Sequence, residues 1–254
     1  MPLLNPFMFN AAAGAFEIEY ACDFDDNDYI HWTPSSAGNR QIWTWSVWFK
    51  KSENSASNYI FGGGTSGSQY YIVGFGSSDK LEIDSTHEYH LRTNATYTDT
   101  GAWIHLVLGF DSTQGTAADR LKIYINGTQN TDLTVITSYP DEDLEDTWIN
   151  NTVAQAYQNV TWASGMNMHL ADINFVDGAQ LAPTAFGETS GSDWIPIDPS
   201  PTYGSNGYRL EFKQTGTGQD ASGIGADTSG EDNHFATVNL VSGNRITDTP
   251  TNPS

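Results

Sequence analysis

The sequence predicts an all-β protein in which two antiparallel sheets pack face to face. One observation is the run at residues 41–50 (QIWTWSVWFK), where aromatic and β-branched residues are uninterrupted by Gly or Pro. A second is a series of about a dozen short apolar segments separated by turn residues. A third is the lack of any segment with the period of an amphipathic helix of useful length. Strands without intervening helices are typical of an antiparallel β-sandwich.

The run at residues 41–50 is predicted to be a central strand. At a period of two, one face carries Trp43, Trp45, Val47 and Phe49, and the other carries Trp48. A large aromatic side chain buries about 150–250 Å². At about 25 cal/mol per Å², each inward tryptophan contributes on the order of 4–6 kcal/mol before entropy is subtracted. We therefore expect the Trp43 face to lie against the second sheet.

The other elements follow from the same reading, taken in chain order. The alternation of Phe16, Ile18, Tyr20, Cys22 and Phe24 predicts the first strand. Further strands are predicted at 29–32, 59–61, 70–75, 80–83, 89–92, 103–110, 121–125, 168–176 and 208–212. Residues 182–187 instead predict a single helical turn, because proline stands near the start and glycine at the end.

Three of these strands have a predicted core face. Asn126-Gly127 directly follows one of them and supplies the two positive φ values of a type I′ hairpin turn. The residues predicted to face the core are Ile104, Leu106, Leu108 and Phe110 in the first strand, Leu121, Ile123 and Ile125 in the second, and His169, Ala171, Ile173 and Phe175 in the third.

The charge of the chain excludes some partners. Its 254 residues include 31 acidic and 10 basic side chains, for a formal charge of −21. Such a chain repels nucleic acid and anionic membrane surfaces, so neither is an expected partner. Cys22 is the only cysteine, so no disulfide within the chain is possible, and we expect assembly in a reducing cytoplasm. No run has the length of a membrane span, and the first residues lack the pattern of a signal peptide.

The termini differ in composition from the middle of the chain. Residues 1–14 are predicted to form an arm before a sandwich at 15–213. The arm is either a loosely docked terminus or an anchor that buries Phe7, Met8 and Phe9 in a neighbouring subunit. Residues 214–254 are rich in Gly, Ser and Asp and are expected to pack on the sandwich or trail from it. The last six residues, 249–254, are expected to be extended or disordered.

Two segments resemble the concanavalin A-like, laminin G-like jelly-roll superfamily. They are residues 103–106 (WIHL), which match a strand pattern of that superfamily, and residues 123–127 (IYING), which match its pattern before a tight turn. The resemblance implies that the sandwich is an antiparallel two-sheet jelly roll of the lectin and glucanase type.

A narrower resemblance is to a group of proteins encoded by marine bacteriophages. The matching segments run in the group's order along nearly the whole chain: TPSSAGNR at 33–40 with WTWS at 43–46, DGAQLAP at 177–183 with FGE at 186–188, YGSNGYRLEF at 203–212, GADTSG at 225–230 and DTPTN at 248–252. The resemblance implies a virion component, assembled in the host cytoplasm beside other virion proteins and expected to form a homo-oligomer. Many members carry further domains after the DTPTN segment.

An enzyme is one alternative, because laminarinase-type glycoside hydrolases of this fold carry two glutamates on one strand. Here Glu82 and Asp84 match that pattern, but the second glutamate is replaced, and Glu88 lies about 20 Å from Glu82 along an extended strand. Retaining hydrolysis needs carboxyl groups about 5–5.5 Å apart, and inverting hydrolysis about 6.5–9.5 Å. Unless the strand ends at Asp84 and folds back, solvated charges are the favoured interpretation.

No cofactor is predicted, although one acidic turn imitates part of a calcium loop. Asp25 and Asn27 offer oxygens with the right alternation, but the glycine and closing glutamate of an EF-hand are missing. A weak calcium site at Asp25 and Asn27 is the sharper hypothesis, and a solvated turn is favoured over it.

Exposed aromatic side chains are the remaining candidates for binding, because sugars stack on tryptophan and tyrosine rings. The candidates are Trp32, Trp48, Tyr157 and Trp162. For each, packing in the core or between subunits is the alternative, since large aromatic residues are mostly buried.

The function predicted from these observations is a non-enzymatic virion structural protein, such as a capsid decoration, fibre or tail component. The first alternative is a glycan- or receptor-binding module for attachment to the host surface. The second alternative is a laminarinase-type glycoside hydrolase. The fold supports all three, so the site must decide between them.

Overall fold

The computed structural model describes residues 16–25, 27–66, 69–85, 88–146, 154–157 and 166–254. Within these ranges, the side chains of 64–66, 69 and 154–157 are not described. Phe7, Met8, Phe9 and Trp162 lie outside the described residues, so the predictions for the arm and for Trp162 stay predictions.

Eighteen strands occur in the described part of the chain, together with one short helix and two 3-10 turns. The strands are β1 (Ala21–Phe24), β2 (Tyr29–Trp32), β3 (Ile42–Lys51), β4 (Asn58–Ser66), β5 (Gln69–Phe75), β6 (Leu81–Ser85), β7 (Tyr89–Thr93), β8 (Ile104–Asp111), β9 (Leu121–Ile125), β10 (Thr128–Gln129), β11 (Leu133–Val135), β12 (Ala154–Tyr157), β13 (Met168–Asp177), β14 (Gly187–Ser190), β15 (Asp193–Pro196), β16 (Tyr208–Leu210), β17 (Ala236–Val238) and β18 (Arg245–Ile246). The helix α1 spans Ala117–Arg120, and the 3-10 turns span Pro183–Ala185 and Ser242–Asn244. No helix among the described residues is long and apolar enough to cross a membrane.

The strands form two large antiparallel sheets and one hairpin. Sheet one has the order β10-β9-β8-β3-β13-β1-β18, with β16 also paired to β13. Sheet two has the order β11-β7-β6-β5-β4-β12-β2-β17. Strands β14 and β15 form a separate hairpin. The predicted fold class, an antiparallel two-sheet jelly-roll sandwich, is confirmed.

The core lies between the two sheets and is centred on β3, as predicted. Trp43 stacks on Phe110 of sheet one, with ring centroids 5.0 Å apart, and meets Tyr71 of sheet two edge-on at 6.1 Å. Trp45 stacks on Phe61 of sheet two at 5.3 Å. The four side chains predicted on the inner face of β3 all belong to the main core. The outer face of β3 carries Trp48, which packs in a separate cluster.

The predicted core face of β13 is wrong in its first half. Leu170 and Ile173 both lie in the main core, whereas Ala171 packs in a cluster on the opposite side of sheet one, and His169 pairs with Asp23. The cause is a register shift between Ala171 and Asn174, which inserts a residue into the strand and reverses its alternation. The extra position includes Asp172, whose backbone has φ of +43°.

The predicted hairpin and helical turn are confirmed. Asn126 and Gly127 have φ of +46° and +76° and connect β9 to β10. The 3-10 turn at Pro183–Ala185 has proline at its start. Strand β1, in contrast, begins at Ala21 rather than at residue 16. Phe16 and Ile18 instead pack beside Trp48 on the outer side of sheet one.

The segment after residue 213 adds strands to both sheets, because β17 pairs with β2 and β18 pairs with β1. The expectation that residues 249–254 are extended or disordered is wrong. Thr249 and Asn252 close a turn with two backbone hydrogen bonds, and the Thr251 hydroxyl bonds both backbone groups of Ile18. Composition shows that this segment is polar, but it cannot show these partners from the start of the chain.

The segments at residues 33–40, 177–183 and 203–212 are connected by hydrogen bonds. The Asp177 carboxylate accepts hydrogen bonds from the backbone of Asn39, at 2.6 Å, and of Asn206, at 3.3 Å. The Asn206 side chain donates to the Ser36 carbonyl. A Cβ at Gly38 would meet the side-chain ends of Asp177 and Asn206 within 3 Å, so a larger residue there would have to displace them. The loops that contain Ser36 to Asn39, Asp177 and Asn206 are therefore held together by hydrogen bonds.

Candidate functional site

A cleft of about 640 Å³ opens on the outer side of sheet one, away from the core. It is bounded by the hairpin β14–β15, by the loop before β8 and by the segment after β18. Its described lining residues are Trp48, Asp99, Gly101, Ala102, Trp103, Asn126, Ser192, Asp193, Trp194, Pro250, Pro253 and Ser254. Three tryptophans from three distant parts of the chain therefore meet in one concave surface, which we call the tryptophan cleft.

Two of the rings of the tryptophan cleft are arranged around His105. Trp48 and His105 are cross-strand partners on β3 and β8, and their rings stack at 4.6 Å and 17°. Trp194 lies parallel to His105 at 6.1 Å and 19°. A Cβ at Gly127 or Gly187 would fall within 3 Å of the Trp194 indole. Glycine at both positions therefore lets this ring lie flat against backbone.

Hydrogen bonds fix the tautomer of His105. The Trp194 indole N–H donates to His105 Nδ1 at 2.9 Å, so this nitrogen must be an acceptor. The neutral ring then carries its proton on Nε2, which donates to the Ser46 hydroxyl at 2.8 Å. Complete burial lowers the pKa of His105 to about 3. The folded protein therefore keeps His105 neutral, since a second ring proton would face the Trp194 N–H.

Protonation of His105 is expected to make stability depend on pH. The unfolded chain binds this proton near pH 6.5, but the folded chain binds it only near pH 3. The stability that comes from keeping His105 neutral is therefore fully present above pH 6.5. It is lost as the pH falls from 6.5 towards 3, by about 1.4 kcal/mol per pH unit. Denaturant unfolding of wild type and His105→Gln from pH 4 to pH 8 measures how the difference in their unfolding free energies depends on pH. The difference in unfolding free energy should shrink below about pH 6.5, and a difference constant with pH would contradict the assignment.

The segment after β18 forms one wall of the tryptophan cleft and is held by Asp248. This carboxylate accepts hydrogen bonds from Lys50 Nζ at 2.7 Å, from the Trp103 indole at 3.1 Å and from the backbone of Ser254. Burial raises the pKa of Asp248, but these donors outweigh it and hold the pKa below its usual value. His169 also lies 3.4 Å from this carboxylate. Asp248 thus connects the segment after β18 both to Lys50 of β3 and to Trp103 of the tryptophan cleft.

The aromatic residues predicted to bind sugars lie in different environments. Trp32 is only 7% exposed and packs on Tyr208 and Phe235 in the core, so its assignment to a binding surface is wrong. Trp48 is 4% exposed but lines the tryptophan cleft, and its indole N–H has no acceptor among the described residues. Tyr157 is placed by its backbone alone, opposite Ile30.

Sequence reasoning missed Trp103 and Trp194, the two half-buried rings of the cleft. A signal for Trp194 was present, because Gly191-Ser192 is a two-residue hairpin turn of a recognised kind. Gly191 has φ of +62°, as the first position of a type II′ turn requires. The approach of this hairpin to His105 had no signal, because it depends on Gly127, which lies in the turn after β9, far from the hairpin along the chain.

The carboxylates considered for hydrolysis lie on sheet two, away from the tryptophan cleft. The chain does fold back after Ser85, but the pairing places Glu88 about four residues, or roughly 13 Å, beyond Glu82 along the strands. Glu82 instead meets His90 at 3.3 Å and Arg92 at 3.7 Å. Asp84 accepts a hydrogen bond from the Tyr70 hydroxyl. This spacing exceeds what a retaining or inverting pair of Glu82 and Glu88 requires.

The acidic turn before β2 is organised by its own hydrogen bonds. The Asp25 carboxylate accepts from the backbone of Asn27 at 3.4 Å, and the Asp28 carboxylate accepts from the Asn244 side chain. Across the described ranges, no three His, Cys, Asp or Glu side chains are grouped so as to hold a metal ion. Calcium at Asp25 and Asn27 stays a prediction.

Comparison with known proteins gives a family and a fold. Residues 24–179 match the family model Laminin_G_3, of the concanavalin A-like lectin/glucanases superfamily. A search of curated proteins found no significant match. A similar solved structure is a Bacteroides ovatus protein with an inferred carbohydrate-binding role, at 17% identity and a TM-score of 0.60. The alignment covers 91% of this chain and 60% of that protein, so this chain spans about three fifths of its length.

Two weaker likenesses are to a pentraxin and to part of an arabinanase. The SAP-like pentraxin of Limulus polyphemus has 13% identity and a TM-score of 0.47, over 66% of this chain and 80% of that one. Domain 4 of the extracellular arabinanase AbnA of Geobacillus stearothermophilus, in complex with arabinotriose, has 17% identity and a TM-score of 0.42. It covers 57% of this chain and 64% of that one.

Proposed function

The chain belongs to the concanavalin A-like lectin/glucanases superfamily, and we propose that it is a non-enzymatic carbohydrate-binding protein. The binding site in this proposal is the tryptophan cleft. The observation that carries the proposal is the meeting of Trp48, Trp103 and Trp194 in one concave surface. The inferred carbohydrate-binding role of the Bacteroides ovatus protein supports the same class of ligand.

The shape and lining of the tryptophan cleft suit a short saccharide. Its volume of about 640 Å³ lies within the range of about 300–1,000 Å³ that is typical of small-molecule sites. Such sites combine apolar and aromatic walls with a few polar groups that fix the orientation of the ligand. Here Asn126 and Ser192 supply amide and hydroxyl groups beside the tryptophan rings. The aliphatic face of a sugar fits the rings, and its hydroxyls fit these polar groups.

A binding protein is favoured over a hydrolase because of the position of the acidic residues. The strand with Glu82 and Asp84 belongs to sheet two and does not line the tryptophan cleft. On that strand, Glu82 is engaged by His90 and Arg92. Incubation with laminarin should therefore release no reducing ends. Release that is lost in Glu82→Gln would restore the hydrolase alternative.

Replacing Trp103 with alanine is expected to weaken saccharide binding by about 30-fold, since truncating a central aromatic contact typically costs about 2 kcal/mol. A glycan array of neutral oligosaccharides first identifies binders, and calorimetry then compares the variants. Trp103→Phe keeps an aromatic ring but loses the hydrogen bond to Asp248, which separates stacking from attachment of the wall. Tyr29→Ala, on sheet two, is the matched control and should bind as wild type. Equal affinity of Trp103→Ala and wild type would refute the site.

A place in a bacteriophage particle is the proposed setting, with other virion proteins and further copies of this chain as partners. The resemblance of the shared segments supports it, together with the finding that three of these segments join the loops around Asp177. Mass spectrometry of purified particles of the bacteriophage that encodes this chain tests the setting, because peptides of this chain should be found in them. Their absence would contradict it.

A further inference from the structure

The charged side chains among the described lining residues of the tryptophan cleft all have one sign. Asp99 and Asp193 line it, whereas none of its described lining residues is Lys, Arg or His. Asp99 accepts a hydrogen bond from the Gly101 backbone, and Asp193 accepts one from the Ser192 hydroxyl. Both partners are uncharged, so the two negative charges are not neutralised locally.

The cation behind the cleft wall does not offset these charges. Lys50 Nζ binds the Asp248 carboxylate at 2.7 Å and the Ser254 carbonyl at 3.0 Å. Its charge is therefore matched by Asp248, which also binds Trp103. The protein as a whole carries a formal charge of −21, so the surrounding potential has the same sign.

We infer that the tryptophan cleft selects neutral saccharides and rejects acidic ones, such as uronic acids, sialic acids and sulfated sugars. The inference rests on the proposed function and names the ligand class for that site. An acidic sugar would bring its anion close to Asp99 and Asp193, and no described lining residue offers a cation to receive it. At about 6 Å, a like-charge pair near a protein surface costs enough to weaken binding by about tenfold or more.

The test compares sugars that differ only in charge. Cellohexaose, laminarihexaose and mannohexaose serve as neutral probes, and oxidation of their C6 hydroxyls to carboxylates gives the matched acidic probes. Calorimetry gives the ratio of the two dissociation constants for each pair. We expect the acidic probe to bind about tenfold more weakly or worse.

Two variants assign this ratio to the cleft. Asp99→Asn with Asp193→Asn should bring the ratio towards one, because the local charges are removed. Glu231→Gln with Asp232→Asn removes the same number of charges away from the cleft lining and should preserve the ratio. If the first variant does not fold, salt provides the same information from wild type. The Debye length falls from about 30 Å at 0.01 M to about 3 Å at 1 M, so the ratio should fall as well.

The outcomes separate this inference from the proposed function. Equal or tighter binding of the acidic probe would overturn the inference and leave carbohydrate binding intact. A ratio that survives in Asp99→Asn/Asp193→Asn would also overturn it. If no neutral saccharide on the array or among the three probes binds, the proposed function itself fails. Weak acidic binding that recovers in the double variant supports both.

Discussion

Replacing Arg209 with methionine is expected to lower the free energy of unfolding by about 3–5 kcal/mol, the range found when one partner of a buried ion pair is removed. Arg209 Nε donates to the Asp172 carboxylate at 2.8 Å. Their side chains are 10% and 2% exposed. Burial raises the pKa of Asp172 even beside this guanidinium, so the carboxylate is costly to bury alone. Methionine fills similar volume but leaves Asp172 without its cation.

Arg209 also supports the irregular part of β13. Asp172 has φ of +43° and lies where the register of β13 shifts. The guanidinium further contacts Asp198 at 2.8 Å and Glu211 at 3.4 Å, so one side chain joins three acidic groups. We expect the variant to lose stability through all of these contacts.

Arg245→Met is the matched control for this prediction. Arg245 lies over the Tyr20 ring at 4.1 Å and donates to the Lys213 carbonyl, but it makes no ion pair among the described residues. Its loss should cost about 1 kcal/mol or less. Urea denaturation at neutral pH compares the two variants. An Arg209→Met protein within about 1 kcal/mol of wild type would contradict the assigned role.

Replacing Trp43 with alanine is expected to cost about 3–5 kcal/mol, the range for aromatic-to-alanine changes in cores. The Trp43 indole is fully buried and packs between Phe110 and Phe175 of sheet one and Tyr71 of sheet two. Removing it leaves a cavity that the rigid sheets cannot close. The midpoint of denaturant unfolding should fall accordingly.

Trp103→Ala provides the comparison, because this tryptophan lies on the other side of sheet one and is half-buried. It should lose about 1–2 kcal/mol of stability, in proportion to its smaller buried area. It should also lose saccharide affinity, whereas folded Trp43→Ala should keep it. If Trp43→Ala were as stable as Trp103→Ala, the sealed core around β3 would be contradicted.

The sequence was informative wherever a pattern is local. The alternation at residues 41–50 predicted both faces of β3, and Asn126-Gly127 predicted the hairpin after β9. In β13 the alternation misled, because a single inserted residue reverses the faces and leaves no mark in the sequence. What holds the insertion is Arg209, from a strand later in the chain. Such long-range support cannot be read from the strand itself.

The tryptophan cleft was only partly predictable. Trp48 could be placed on the outer face of β3 from its period, and it does line the cleft. Trp103 reaches it through a contact with Asp248 and Trp194 through a contact with Gly127, and both contacts join elements that are distant along the chain. Trp32 shows the converse, because its strand was predicted correctly but its burial depends on Tyr208 and Phe235.

The most direct test of the proposed site is a titration followed by the indole N–H resonances of the eight tryptophans in a ¹⁵N spectrum. On addition of the strongest neutral binder from the array, the signals of Trp103 and Trp194 should shift and saturate together. The signals of Trp43 and Trp45, which lie in the core, should stay in place. A saturating saccharide that leaves both Trp103 and Trp194 unchanged would show that the sugar binds elsewhere and would contradict the proposed site.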